Sequence, residues 1–164
     1  MPGANPYHPA RAAGAPRSRK LKQTEGTMGL PEELERAGLF HTHVGPYLVI
    51  GLRMGRAVTD RLGSEPFSYR ITARTGRTPP YSCLVDGVQL ATPCTTGNGC
   101  LEVADERTMS IEAETKDGRS VAVALNRDVY NRIETECTED NQESFALEIW
   151  QMPEGDLLTV SEEA

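Results

Sequence analysis

Residues 46–62, Pro-Tyr-Leu-Val-Ile-Gly-Leu-Arg-Met-Gly-Arg-Ala-Val-Thr-Asp-Arg-Leu, read as one helix whose first two turns are apolar on almost every side. Only Arg53, Arg56 and Asp60, at i, i+3 and i+7, make a polar stripe. A helix lying on a protein surface needs a wider polar face than that, so other elements must cover the N-terminal half of this one. Pro46 suits the first helical position, where its missing N–H would have no partner, and Gly63 ends the run. Gly51 and Gly55 leave a notch at which another backbone, of this chain or of a second copy, can come close. Each costs about 1 kcal/mol of helix stability relative to alanine, which packing has to offset.

Just ahead of this helix stands Phe40-His41-Thr42-His43-Val44-Gly45. In an extended segment residues i and i+2 project to the same side, so both imidazoles can face one small site. The helix start behind them carries partial positive charge, which favours neutral imidazole, metal-bound thiolate or an anion. The plain alternative is a loop that only leads into a core helix.

The other elements follow from local pattern. A helix is expected from Pro31 to Ala37, stopped by Gly38. Ser68 to Thr75 alternates as a strand. Ser82 can cap a helix from Cys83 to about Ala91, placing Cys83 where the helix dipole would favour its thiolate, with Asp86 and Gln89 or Leu90 on the same face. Thr92 to Cys100 is an irregular loop whose consecutive amides could form an anion nest. Met109, Ile111 and Ala113 alternate with polar residues, as do Val121, Val123 and Leu125. A two-residue Asp117-Gly118 turn would set Glu112 and Glu114 among the valines. A three-residue loop, Lys116 to Gly118, instead pairs Ile111 with Val123 and Ala113 with Val121, with Gly118 left-handed. Val129, Tyr130, Ile133 and Cys137 form one helical face, and Phe145, Ala146, Ile149 and Trp150 the face of a second or continuing helix ended by Met152-Pro153. A short strand from Leu157 to Val160 precedes an acidic end expected to fray.

The chain's 164 residues suffice for one domain with a core. Residues 1–28, rich in Pro, Ala, Gly and Arg, bury too little apolar surface to order and read as a disordered tail, leaving 29–164 as a single α+β domain. Five of the 17 basic residues lie in that tail, ahead of all 24 acidic ones, so the body is strongly acidic and ill suited to nucleic acid. No apolar run approaches the roughly 18 residues of a membrane span, and no signal-peptide core begins the chain. A soluble cytoplasmic protein is expected. The four cysteines, Cys83, Cys94, Cys100 and Cys137, have no Cys-x-x-Cys spacing. In a reducing compartment they are core residues, ligands or reactive thiols.

Nearly all metal-capable side chains fall in two segments: His41 and His43 before one helix, and Cys83, Asp86, Cys94 and Cys100 around another. Zinc and similar borderline cations accept imidazole nitrogen, thiolate sulfur and carboxylate oxygen. Whether the two segments meet decides whether such a site exists.

The ordered motifs Phe40-His-Thr-His-Val-Gly-Pro, Gly51-Leu-Arg-Met-Gly, Pro79-Pro-Tyr-Ser-Cys-Leu-Val-Asp-Gly-Val-Gln and Cys94-Thr-Thr-Gly resemble the FmdE (FwdE-like) family of formylmethanofuran dehydrogenase components and their stand-alone homologues, from about Leu34 to Val160. The resemblance implies an α+β core of the FwdE/GAPDH-domain-like kind, helices on a mixed, mostly antiparallel sheet, usually as a homodimer. It also implies a metal site, zinc or another divalent transition metal such as iron, with His43, Cys83 and Cys94 foremost, His41 and Asp86 after them, and Gln89 and Thr95 in support. Three departures stand out. Val44 occupies a position where many members have cysteine, with Cys100 the candidate to replace it. Asn98 follows Gly97 where lysine is frequent, and the C-terminal zinc module of longer members is not expected.

Three readings remain open. The first is a metal-binding protein tied to one-carbon metabolism, an accessory within a formyl-transferring or molybdenum or tungsten enzyme complex. The second is a thiol enzyme using Cys83 with a neighbouring histidine as base. The third is a non-catalytic binding or structural module. No complete catalytic set, such as Ser-His-Asp, is recognisable.

Overall fold

A computed structural model describes residues 29–164. The expected disordered tail, with His8, lies outside the described residues. The chain runs α1 (Glu32–His41), α2 (Pro46–Leu62), β1 (Tyr69–Arg74), α3 (Cys83–Ala91), β2 (Leu101–Ala104), β3 (Ser110–Thr115), β4 (Ser120–Leu125), α4 (Arg127–Glu136), α5 (Gln142–Gln151), α6 (Glu154–Leu157) and β5 (Leu158–Glu163). The strands form one sheet in the order β2-β1-β3-β4-β5, parallel between β1 and β2 and antiparallel elsewhere. This is the α+β architecture with a mixed, mostly antiparallel sheet.

Alternation along the strands decides which face of the sheet is covered. Tyr69, Ile71 and Ala73 of β1, Ile111 and Ala113 of β3, and Val121 and Val123 of β4 are buried. Arg70, Arg74, Glu112 and Glu114 face the other way, where Arg74 donates to Glu106 at 2.9 Å and to Glu112 at 3.2 Å. A sheet with one buried and one wet face reads as strict alternation, and these strands do. Ile111 pairs with Val123 and Ala113 with Val121 across the three-residue loop 116–118, and Gly118 has φ +87°. The side-chain argument against Glu112 and Glu114 in the core therefore selects the observed register.

The covered face belongs chiefly to α2, buried from Pro46 through Leu52. Its two glycines are spent inside the chain, on α3. A Cβ on Gly51 would come within 2.0 Å of the Leu84 carbonyl oxygen, and one on Gly87 of α3 would lie 2.1 Å from the Leu48 oxygen and 2.6 Å from the Leu52 nitrogen. The two backbones lie against each other at reciprocal glycines, so the notch is filled by α3 and is not left for a second copy of the chain. On its other flank α2 meets α5. Arg53, although desolvated enough to lower its pKa, donates to the carbonyls of Ile149 and Trp150 at 3.0 and 2.9 Å, and the Arg56 guanidinium lies 4.4 Å above the Trp150 ring.

Several boundaries differ from the sequence reading. Helix α1 does not stop at Gly38 but continues to His41 and ends at Thr42, with φ +79°. Gly38 is there for packing: a Cβ would meet the Val44 side chain at 2.8 Å. Ser82 is helical in conformation and makes no capping bond; the approach to α3 is instead held by the Ser82 amide on the Thr78 oxygen and the Cys83 amide on the Pro80 oxygen. Strand β2 carries no sequence signal of its own, since four residues give too short an alternation; its place is set by pairing with β1. Of the two readings left open after β4, a second helix is observed and not a continuing one: α4 and α5 are divided by Asn141, whose side-chain amide donates to the Glu136 carbonyl and accepts from the Thr138 N–H, and the short α6 follows. The acidic end does not fray: β5 pairs with β4 as far as Ser120 with Glu163, and Glu162 accepts from Arg61 at 3.0 Å. No helix among the described residues is long and apolar enough to cross a membrane.

Alanine at position 87 has no space beside α2. Gly87→Ala is expected to destabilise the fold by about 1–3 kcal/mol, the cost of overpacking. Gly155→Ala, with no atom within 4 Å of the added methyl, should change stability by less than about 0.5 kcal/mol. Urea unfolding followed by circular dichroism measures both, and equal effects would refute the packing argument.

Candidate metal centre

The docking of α2 on α3 brings the two metal-capable segments together. His41 occupies the last turn of α1, Thr42 reverses the chain in a left-handed conformation, and His43 leads into Gly45, the extended residue before α2. The histidines are therefore not on one side of an extended strand; a turn, not strand geometry, sets their rings 4.7 Å apart. Cys83 opens α3 opposite them. One ligand atom from each of His41, His43 and Cys83 lies within 4.8 Å of the others. That spread is on the scale of a coordination shell, in which donors stand about 2.0–2.3 Å from a shared ion.

The tautomer of His41 follows from its neighbours. Nδ1 lies 2.6 Å from Asp86 Oδ2, and a carboxylate only accepts, so Nδ1 carries the proton. In the neutral ring Nε2 then carries the lone pair. It is buried and has no hydrogen-bond partner among the described residues. An unsatisfied buried acceptor costs about 1–3 kcal/mol, which a ligand at that nitrogen would relieve. Carboxylate, imidazole and open nitrogen in series is the arrangement that orients histidine on a metal. Gln89, one turn along α3, donates to Asp86 Oδ1 at 3.3 Å, and its own oxygen accepts from the Thr96 amide and hydroxyl at 3.0 and 3.1 Å. The support reaches the following loop through Thr96; Thr95 turns inward, its hydroxyl accepting from the Asn98 amide.

Loss of hydration and the adjacent His41 lower the His43 pKa, favouring the neutral form that binds metal. The thiol of Cys83 moves the other way. Burial, then the nearby Asp86 carboxylate, raise its pKa, against the helix-dipole expectation. Without a cation beside it, Cys83 is a poor nucleophile, because the thiolate is the reactive form.

Cys94 is left out of the group. It is fully buried beneath β1, its thiol directed to the Tyr69 carbonyl oxygen at 3.4 Å, and burial with the neighbouring Cys100 pushes its pKa up to about 11. Its position in the core follows from the loop running under β1 before joining β2. Cys100 is buried alongside and so does not replace the thiol missing at Val44, which packs against Gly38. Nor is the loop an anion nest. Asn98 Oδ1 accepts from the amides of Thr95 and Cys100, and the Thr96 amide is taken by Gln89. Asparagine in place of the lysine frequent in the resembling family thus brackets the loop internally. Composition and spacing singled out every member of the cluster, but gave no signal for which cysteine would join it.

A tungsten formylmethanofuran dehydrogenase FmdE-like protein from Syntrophus aciditrophicus has a similar solved structure, with a TM-score of 0.62 and 25% identity over 80% of this chain and 70% of that one. A probable S-adenosyl-L-methionine-binding protein of Archaeoglobus fulgidus is 34% identical over 97 residues, 57% of this chain, which spans about a quarter of that relative's length (26%). Residues 40–162 match the family model described as FmdE, Molybdenum formylmethanofuran dehydrogenase operon, and on that match the chain belongs to the FmdE family.

Proposed function

We propose that this chain binds one divalent transition metal, zinc or iron, through His41 Nε2, His43 and the Cys83 thiolate, and serves as an accessory to formylmethanofuran or related one-carbon metabolism dependent on molybdenum or tungsten enzymes. The observation that carries the metal assignment is the buried Nε2 of His41, without a hydrogen-bond partner among the described residues and held toward His43 and Cys83 by Asp86. The donor set fits: two imidazoles and one thiol that a metal would deprotonate satisfy a borderline cation and leave a position for a further ligand. A metal bound there would act as a Lewis acid toward that ligand. The chain's own residues orient and protect. Asp86 and Gln89 fix the His41 ring, whose Nε2 is buried from solvent. The link to one-carbon metabolism rests on the family description and on the name of the structural neighbour.

Metal analysis of the purified chain should give about one equivalent of metal, retained on gel filtration. Cys83→Ser and His41→Ala should lose it, Cys94→Ser should keep it, and Asp86→Asn should weaken zinc affinity by about 10–100-fold, as loss of an orienting partner does. Absence of stoichiometric metal from the wild type after zinc reconstitution, or loss confined to Cys94→Ser, would overturn the assignment.

The thiol-enzyme reading makes an opposite demand on Cys83. A folded pKa raised above the ordinary thiol value leaves less thiolate at any given pH. In chelator-treated protein the iodoacetamide rate at Cys83 should therefore be slow at pH 7 and rise only above about pH 8.5. A rate already at its plateau below pH 7 would restore the activated nucleophile.

A further inference from the structure

A second concave site lies beside the histidines, between the start of α2, the turn entering α3 and the junction of α4 with α5. It is a cleft of about 490 Å³, within the range of about 300–1,000 Å³ usual for small-molecule sites. Pro46, Tyr47, Pro80 and Tyr81 wall it on one side, and Glu134 and Glu139 on the other. The rim approaches the metal-capable group: the Gln142 side-chain oxygen and the His43 ring lie 3.4 and 3.5 Å from the point a Cβ on Gly45 would occupy.

Its unusual member is Glu134. Tyr47 donates to one of its carboxylate oxygens at 2.8 Å and Tyr81 to the other at 2.9 Å, the two rings meeting edge to face with centroids 5.3 Å apart. Where other surface glutamates are pinned, arginine pins them: Glu112 by Arg74, Glu148 by Arg132, Glu154 by Arg61. Glu134 has no such partner among the described residues. Two phenols hold its carboxylate in place without bringing a positive charge to it. Both are kept protonated, Tyr81 pushed up to about 12 by its bond to Glu134 and Tyr47 raised further by burial. Arg107 lies over the Tyr81 ring at 5.2 Å but does not line the cleft. A fixed carboxylate, a second one at Glu139, and tyrosine and proline walls with no basic residue among them offer favourable contacts to a cation and repel an anion.

We infer that the cleft between Tyr47, Tyr81 and Glu134 is a binding site for a small organic cation, an amine carried on an apolar or aromatic body, with the ammonium on Glu134 and the body against the tyrosine and proline wall. The site is separate from the metal ligands and does not require the metal.

Calorimetric titration of the full-length chain with benzylamine, benzyl alcohol and benzoate, with and without bound zinc, tests this. Benzylamine should bind saturably in both forms and at least about tenfold more tightly than the other two, a difference of roughly 1.4 kcal/mol. Glu134→Gln should remove that preference, and Tyr81→Phe, which keeps the charge but frees one carboxylate oxygen, should weaken benzylamine several-fold. Equal binding of benzoate or benzyl alcohol, an unchanged preference in a folded Glu134→Gln protein, or benzylamine binding only when zinc is present would overturn the inference. The last outcome would mean amine coordination at the metal, and it leaves the metal assignment standing. Should Glu134→Gln fail to fold by circular dichroism, the ligand ranking on the wild type and the Tyr81→Phe variant still decide.

Discussion

The close approach of α2 and α3 at Gly51 and Gly87 is the contact on which the candidate centre rests. A methyl group on either glycine would meet the partner helix's backbone at about 2 Å, far inside van der Waals distance, so neither helix can carry a side chain there and keep its position. Each glycine lowers intrinsic helix stability. What offsets this is burial: Leu48, Leu52, Leu84 and Val88 around the contact are all within a few per cent of complete burial. The end of α1 and the turn into α2 carry His41 and His43, and the first turns of α3 carry Cys83 and Asp86. Holding these helices backbone to backbone is what lets two segments some forty residues apart in sequence share one pocket.

Around that contact, polar groups are arranged so that one nitrogen is left open. Thr96 holds Gln89, Gln89 holds Asp86, and Asp86 holds His41. Each bond fixes the donor and acceptor roles of the next, and the series ends on a buried lone pair. In the loop after α3 side chains take up backbone donors instead: Asn98 accepts from the amides of Thr95 and Cys100, and Gln89 from that of Thr96. The acidic cleft beside the histidines is biased against anions. Its single pinned carboxylate is oriented by phenols, which keep their protons because burial and the carboxylate itself oppose ionisation.

Much of this was legible in the chain, and the misreadings have physical causes. The 116–118 loop and its strand register could be read because a slip of one residue would have buried Glu112 and Glu114. The burial of α2 could be read because so few of its positions are polar. Gly38 was misread as a helix stop because glycine signals both chain reversal and close packing; the Val44 methyls beside it, distant in the local pattern, decide which applies. Ser82 looked like a cap because serine often is, yet the turn from Thr78 already supplies the bonds. Cys94 was paired with the histidines on motif order alone, whereas its side chain is drawn into the core under Tyr69.

By itself the sequence determined the local elements, the wet and dry faces of the strands and the supply of metal-capable side chains, since these depend on residues a few positions apart. Tertiary structure alone decided which of those side chains meet. It placed Cys83 and not Cys94 beside the histidines, left His41 Nε2 without a partner among the described residues, spent the glycine notch within the chain, and set two tyrosines from separate elements on Glu134. Each of these outcomes depends on contacts between residues remote in the chain, whose relative positions are fixed only when α2 and α3 close on each other.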